Sequence, residues 1–271
     1  MAAPSRLDGP TSDPPVLLYH RVCRDDERRS SEFVVSENVF REQLRYLSRC
    51  NYYTPRLSEV LTWDGPAARN SKAPVLLTFD DGYTDNFENA LPILEEFGFT
   101  AAIFPVLDLT RRSSWWGDAL GASLLMPEQM RSMEGAGIEF GSHCVNHRPL
   151  TSLSHSELVE ELTRSREVLA SIVAHPLPVL AYPFGDVDER VKRAAQRAGY
   201  SAALAVNSGP LELRSDLYEI RRLLVANRSH EAYMKMKLSG AEKLYRWLKW
   251  KAGNGLRSYR RSLTRAATPA T

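Results

Sequence analysis

The chain has 271 residues, a length sufficient for one domain with a full hydrophobic core. Hydrophobic residues make up 43% and charged residues 25%, as in an ordinary globular protein, and the net charge of +2 gives no sign of a nucleic-acid partner. Three widely spaced cysteines imply no disulfide framework, and no apolar run approaches the roughly 18 residues that a membrane span requires.

The charge is unevenly distributed along the chain. Residues 241–271 carry eight Lys or Arg against one acid, a net +7 that leaves −5 for the remainder. Aromatic and basic residues alternate in Leu244–Trp250, which is typical of a helix on a membrane surface and equally of a solvated basic helix packed on the domain. Residues 1–15 are rich in Pro, Ser, Asp and Gly, are expected to be disordered, and lack the apolar core of a signal peptide. We therefore expect a cytoplasmic protein, peripheral at the inner face of the membrane if the tail binds there.

Strands alternate with helices along the body of the chain. Apolar runs predict strands over residues 16–20, 74–79, 100–106, 137–141, 178–182, 200–206 and 218–225. Helical spacing and capping residues predict a helix after Ser36, one starting near Pro127, and others over 86–97, 154–173 and 189–198. This alternation predicts a parallel sheet covered by helices, either an α/β barrel or a doubly wound sheet. We expect one α/β domain over 16–240, followed by a basic, partly helical tail over 241–271.

Two adjacent carboxylates, Asp80 and Asp81, follow the second predicted strand and precede Gly82. Such a pair can divide the labour of a hydrolytic site, one carboxylate binding a metal and the other acting as general base. Asp-Asp-Gly is also a common turn whose carboxylates cap the helix that follows.

Two histidines, His143 and His147, follow the predicted strand 137–141. Four residues apart, they would lie on one face of a helical turn, so both imidazoles could reach one ion at roughly 2.0–2.1 Å. Two His and one carboxylate with an open position form a recurring catalytic metal set. A pair at this spacing is also a frequent surface feature.

Two further segments end predicted strands, namely His20 and the turn Ala181–Gly185. A single His more often satisfies a hydrogen bond in the core than performs catalysis, and a Pro-Gly turn can present backbone N–H groups to an oxyanion. All four segments nevertheless lie at carboxyl ends of strands, where active sites of parallel α/β barrels are assembled.

Thr78-Phe-Asp-Asp-Gly82 together with Ser142-His143-x-x-x-His147 resembles the polysaccharide deacetylase family, the NodB-homology domain of carbohydrate esterase family 4. The resemblance covers residues 15–230. It implies a distorted (β/α) barrel of the NodB-homology type and the removal of acetyl groups from polysaccharides.

The resemblance also implies roles for individual residues. Asp81, His143 and His147 would bind a divalent metal, with Zn²⁺ expected and Co²⁺, Ni²⁺ or Fe²⁺ as alternatives, and Asp80 would be the general base. The opening Leu18-Tyr-His-Arg-Val22 is similar to the poly-N-acetylglucosamine deacetylase branch, whose N-terminal His is the catalytic acid, here His20.

The third family motif, Arg-Pro-Pro-Tyr-Gly, aligns with Ala181-Tyr-Pro-Phe-Gly185, so its arginine is missing. The backbone N–H that faces the oxyanion would then belong to Phe184. We expect Arg221 or Arg222 to replace the lost contact with Asp80.

Three aromatic residues are candidates for substrate binding. Tyr182 lies in the third motif, and the pair Trp115 and Trp116 occupies a long loop after a predicted strand. Aromatic faces can stack on sugar rings, but paired tryptophans as often anchor a loop to the core.

These residues predict a hydrolase that removes an N-acetyl group from an amino sugar or glycoconjugate, releasing acetate and a free amine. One alternative keeps the site but acts on a small non-sugar amide or imide. Another is a catalytically weak carbohydrate-binding protein, suggested by the missing arginine.

Overall fold

A computed structural model describes residues 13–25, 31–62, 72–115, 121–206, 215–228 and 230–239, with positions 242, 245 and 248. The tail proposed to contact a membrane and Trp116 therefore lie largely or wholly outside the described residues. Within the described residues, no helix combines the length and the apolar character needed to cross a bilayer. Residues 13–15 lie against the domain, with Pro14 buried and the Pro15 carbonyl accepting from Leu76 N at 3.0 Å.

Short strands and helices alternate along the described chain. The strands are β1 (Val16–Tyr19), β2 (Arg21–Cys23), β3 (Val34–Ser36), β4 (Tyr52–Tyr53), β5 (Ala73–Pro74), β6 (Leu76–Asp81), β7 (Ala102–Pro105), β8 (Glu139–Phe140), β9 (Val179–Ala181), β10 (Ala202–Ala205), β11 (Ile220–Arg221) and β12 (Leu223–Leu224). The helices are α1 (Glu37–Arg49), α2 (Leu57–Leu61), α3 (Leu91–Phe97), α4 (Pro127–Gly135), α5 (His155–Ile172), α6 (Glu189–Arg197) and α7 (Glu231–Lys237). A π-helical turn, Asn86–Ala90, leads into α3, and single 3₁₀ turns cover Leu150–Ser152 and Pro183–Gly185.

The predicted helix boundaries follow local capping chemistry. Ser36 accepts a bond from Val39 N at the start of α1, and α3 ends at Gly98, whose φ of 63° is left-handed. Ser154 and Glu157 form a reciprocal capping box at the start of α5.

Two parallel sheets join into an irregular barrel. The first has the order β12-β1-β6-β7-β8 and the second β11-β10-β9. A parallel bridge between Ser142 and Leu180 links β8 to β9 on one side. On the other side, Arg222 links β11 to β12, and its N–H donates to the Ala205 carbonyl at 3.1 Å. The distorted α/β barrel implied by the resemblance is confirmed.

The single strand predicted over residues 218–225 is wrong. The segment divides into β11, which pairs with β10, and β12, which pairs with β1, so it belongs to both sheets. The break falls at Arg222, a buried residue. The segment is therefore divided between the edges of the two sheets, with Arg222 at the change from one to the other.

Alternation along β6 determines which side chains face the barrel interior. Leu76 packs with residues of β7, β9 and β10 in one cluster, whereas Leu77 and Phe79 pack in another with α1 and α3. Because side chains alternate along a strand, Asp80 faces the same interior as Leu76. The barrel thus carries a carboxylate inside its rim.

Candidate active site

The carboxyl ends of the barrel strands carry the residues singled out in the sequence. His20 follows β1, Asp80 and Asp81 end β6, His143 follows β8, and Phe184 follows β9. Because all these strands run parallel, their carboxyl ends meet at one rim. The structure brings these residues to that rim.

Asp81, His143 and His147 form a compact buried set of side chains that could bind a metal. One ligand atom from each lies within 4.8 Å of the others. Asp81 Oδ1 is 3.4 Å from His143 Nε2 and 3.3 Å from His147 Nε2. Two ligands bound tetrahedrally at roughly 2.0–2.1 Å from one ion stand about 3.3–3.4 Å apart. The spacing therefore fits a divalent cation.

The unsatisfied hydrogen bonding of Asp81 supports the same fit. Its Oδ1 is buried and makes no hydrogen bond of acceptable geometry with any described residue. Burial raises the pKa of Asp81, but the adjacent imidazoles of His143 and His147 outweigh it and hold that pKa well below its usual range. An ionised oxygen between two imidazole nitrogens is a suitable donor set for a cation.

The prediction that His143 and His147 share a helical turn is wrong. They lie on a loop in which Cys144 and His147 have left-handed φ values of 66° and 46°. His143 Nδ1 lies 2.7 Å from the Ala181 carbonyl, a contact that leaves Nε2 to face Asp81. Tertiary contacts, and not helical geometry, bring the two imidazoles together.

Left-handed backbone is concentrated at this rim. Of the five non-glycine residues with positive φ in the described chain, four lie at the site: Asp81, Cys144, His147 and Phe184. Such conformations cost on the order of 1–3 kcal/mol and persist where surrounding structure enforces them, often at functional sites. The positive φ of Asp81 also ends the alternation of β6, so its carboxylate joins the imidazoles.

Arg222 binds the carboxylate of Asp80 from the barrel seam. Its Nη1 and Nη2 donate to Oδ1 and Oδ2 at 2.6 and 2.5 Å, and the two side chains are 0% and 4% exposed. Burial raises the pKa of Asp80, but the charge and hydrogen bonds of Arg222, together with the nearby His143 and His20, outweigh it and lower that pKa. Arg221 instead donates to Glu219. A guanidinium therefore contacts Asp80 although the third motif lacks its arginine.

His20 reaches the rim from the first strand. Its Nδ1 is buried without a hydrogen-bond partner among the described residues, and its ring lies 4.7 Å from that of Phe33. Asn86 Nδ2 donates to the His20 carbonyl at 2.8 Å and fixes the backbone. Burial lowers the pKa of His20, against the opposing effect of Asp81 and Asp80.

Phe184 is well exposed beside the metal donors. Its side chain is 57% exposed, its ring lies 4.5 Å from that of His147, and its φ is 59°. The expectation that Tyr182 contacts substrate is wrong, because Tyr182 is 1% exposed and donates its hydroxyl to the Tyr218 carbonyl at 2.9 Å. The third-motif turn thus presents Phe184 and buries its tyrosine.

Trp115 lies in the loop that docks beside the Asp-Asp motif. It is half-buried against Tyr83 and Leu124, and the Arg111 guanidinium lies 4.5 Å from its ring centroid. Both the anchoring and the sugar-stacking interpretations fit this position, so a role in binding stays a prediction.

Sequence reasoning missed Glu161, a buried glutamate on α5. It falls on the apolar face of that helix with Leu158, Leu162 and Leu169. A charged residue at core spacing is costly to bury without partners. A glutamate at an apolar position of the helix was therefore the sequence signal that could have identified Glu161.

Comparisons with known proteins agree with this fold and with the family that the motifs resemble. The polysaccharide deacetylase family model matches residues 67–203, about half of the chain. The Bacillus subtilis (strain 168) protein provisionally named polysaccharide deacetylase YxkH is 28% identical over 216 residues, covering 78% of this chain and 71% of that protein. The poly-beta-1,6-N-acetyl-D-glucosamine N-deacetylase of Staphylococcus aureus (strain MSSA476) is 21% identical over 253 residues, covering 86% of each.

Solved structures share the fold. The Streptococcus pyogenes deacetylase PplD in complex with acetate superposes with a TM-score of 0.73 at 25% identity, covering 84% of this chain and 99% of that one. IcaB from Ammonifex degensii superposes with a TM-score of 0.69 at 22% identity, covering 83% and 96%. With the family model matching both the Asp-Asp and the His-x-x-x-His segments, this chain belongs to the polysaccharide deacetylase family.

Proposed function

We propose that the protein is a divalent-metal-dependent hydrolase that removes the N-acetyl group of an amino sugar in a glycan or glycoconjugate, releasing acetate and a free amine. The observation that carries this proposal is the convergence of the donor set Asp81, His143 and His147 with the Asp80–Arg222 pair and His20 at one rim. The family and the amino-sugar deacetylase named among its relatives support the choice of substrate class.

Asp81 Oδ1, His143 Nε2 and His147 Nε2 would hold the metal. When bound, a divalent cation such as Zn²⁺ supplies Lewis-acid polarisation of the acetyl carbonyl and acidifies water near neutral pH. The donor set of two imidazoles and one carboxylate suits Zn²⁺, and also accepts Co²⁺, Ni²⁺ or Fe²⁺.

The other residues transfer protons and stabilise the negative charge that develops on the carbonyl oxygen. Asp80, kept ionised and oriented by Arg222, takes the proton of the attacking water at its carboxylate. The Phe184 N–H donates to the carbonyl oxygen as it gains negative charge; such a donor is typically worth about 2.7–4 kcal/mol. His20 delivers a proton to the departing nitrogen, so the amine leaves neutral.

Substrate class is tested by acetate release from N-acetylglucosamine oligomers, nucleotide-linked N-acetyl sugars and simple acetamides. We expect turnover of the sugar substrates. Turnover of non-sugar amides alone would contradict the proposal and favour the small-amide alternative.

Residue roles are tested by pairing metal content with turnover. Asp80→Asn should keep one equivalent of metal and lose about 10²–10⁴-fold in turnover, the usual contribution of a general base. His143→Ala should lose both the metal and the turnover. An Asp80→Asn variant with full activity would exclude Asp80 as the base.

A further inference from the structure

A buried carboxylate from α5 holds the loop that carries two of the three metal donors. Glu161 is 6% exposed. Its Oε1 accepts hydrogen bonds from Val145 N at 2.8 Å and Asn146 N at 2.5 Å, and its Oε2 accepts from Asn146 Nδ2 at 2.7 Å. All three bonds therefore end between His143 and His147.

The negative charge of the Glu161 carboxylate is compensated by N–H groups of the loop itself. Within the described part of the chain, the partners of Glu161 are those three N–H groups, and none is a cation. A buried charge without such compensation is strongly disfavoured. Successive backbone N–H groups in a tight turn form a concave site suited to an anion. The Glu161 carboxylate and the loop conformation consequently depend on each other.

The loop needs this support because its path is strained. Cys144 and His147 both adopt left-handed φ, which is unfavourable for residues with a Cβ. The two backbone N–H groups that donate to Glu161 belong to Val145 and Asn146, which lie between these two residues. Charge-assisted hydrogen bonds are roughly twice as strong as neutral ones, so they can hold the turn that sets the direction of the His147 imidazole.

We infer that Glu161 is a positioning residue for the metal site: it fixes the loop geometry that directs His143 and His147 at one cation. This inference rests on the proposed function, because it concerns the same donors. It assigns a role in metal affinity to a helix residue whose side chain makes no bond to a donor side chain.

Three substitutions test the inference by metal binding, independently of turnover. Glu161→Ala removes the acceptor. Glu161→Gln keeps an oxygen for both backbone N–H groups, and the Asn146 amide can rotate to accept from the new NH₂. Glu160→Ala is the matched control, since Glu160 precedes Glu161 on the same helix and is exposed. Apo-protein is titrated with Zn²⁺, and the visible spectrum of the Co²⁺ form reports donor geometry.

We expect Glu161→Ala to weaken Zn²⁺ binding about 10–100-fold, the usual effect of losing a residue that orients a ligand, and to alter the Co²⁺ spectrum. Glu161→Gln should largely restore both, and Glu160→Ala should match the wild type. If Glu161→Ala does not fold, Glu161→Asp, which keeps the charge but is one methylene shorter, should show the weakened binding.

A folded Glu161→Ala or Glu161→Asp variant with wild-type Zn²⁺ affinity and Co²⁺ spectrum would overturn the role of Glu161 and leave the proposed function intact. A wild-type protein that binds none of Zn²⁺, Co²⁺, Ni²⁺ and Fe²⁺ would overturn the proposed function itself, and the inference with it.

Discussion

The ion pair between Arg222 and Asp80 allows a quantitative prediction for Arg222→Met. Methionine approximates the stem of arginine and removes only the charge and the two bonds at 2.6 and 2.5 Å. The partners are 0% and 4% exposed, so water screens neither of them. Removing one partner of a buried pair typically costs about 3–5 kcal/mol, because the remaining charge is left uncompensated. We expect the free energy of unfolding at pH 7 to fall by about that amount.

The same argument predicts rescue by a second substitution. In the Asp80→Asn background no carboxylate remains to be left unpaired, so Arg222→Met should cost clearly less there than in the wild type. Urea unfolding of the four proteins measures this coupling. Arg41→Met is the control, because the Arg41–Glu96 pair is exposed and such pairs contribute about 0.2–1 kcal/mol. Equal losses from Arg222→Met in both backgrounds would refute the uncompensated-charge explanation.

Three further predictions concern other parts of the barrel. Gly82→Ala should lower the unfolding temperature, because φ is +73° and an added Cβ would lie 2.6 Å from Pro105 Cβ; a wild-type temperature would contradict this close approach. Burial raises the pKa of Asp85 to about 6, so the native state holds a proton that the unfolded chain releases. Relative to Asp85→Asn, the unfolding free energy of the wild type should fall by roughly 2 kcal/mol as the pH rises from about 4 to 6. A difference in unfolding free energy that stays constant with pH would exclude that shift. Tyr182→Phe should cost about 1 kcal/mol for the lost bond to Tyr218 and leave KM unchanged, whereas a raised KM would restore Tyr182 as a substrate contact.

Local chemistry made much of the fold predictable. Ser36, Gly98 and the Ser154–Glu157 capping box define helix ends within a few neighbouring residues, so their helices follow from the sequence. The buried strands likewise follow from apolar runs. Because those strands are parallel, the position of a motif after a strand was enough to predict that it lies at the rim.

Features set by distant contacts were not predictable in the same way. The segment 218–225 divides at Arg222 because it pairs with strands of two different sheets. Its own sequence does not indicate which strands those are. The left-handed turns at Cys144 and His147 depend on Glu161 from another element. Tyr182 is buried because it packs against residues of β9, β10 and α6 and donates its hydroxyl to the Tyr218 carbonyl.

The seam at Arg222 links the pairing of Asp80 with its counter-charge to the closure of the barrel. Arg222 reaches Asp80 only when the segment that contains it has docked between β10 and β1, which joins residues about 200 positions apart in sequence. A chain whose final strand is unpaired would keep Asp80 inside the barrel without its counter-charge. In such a species the proposed base would not be oriented, so under the proposed function deacetylation would report the closed barrel only.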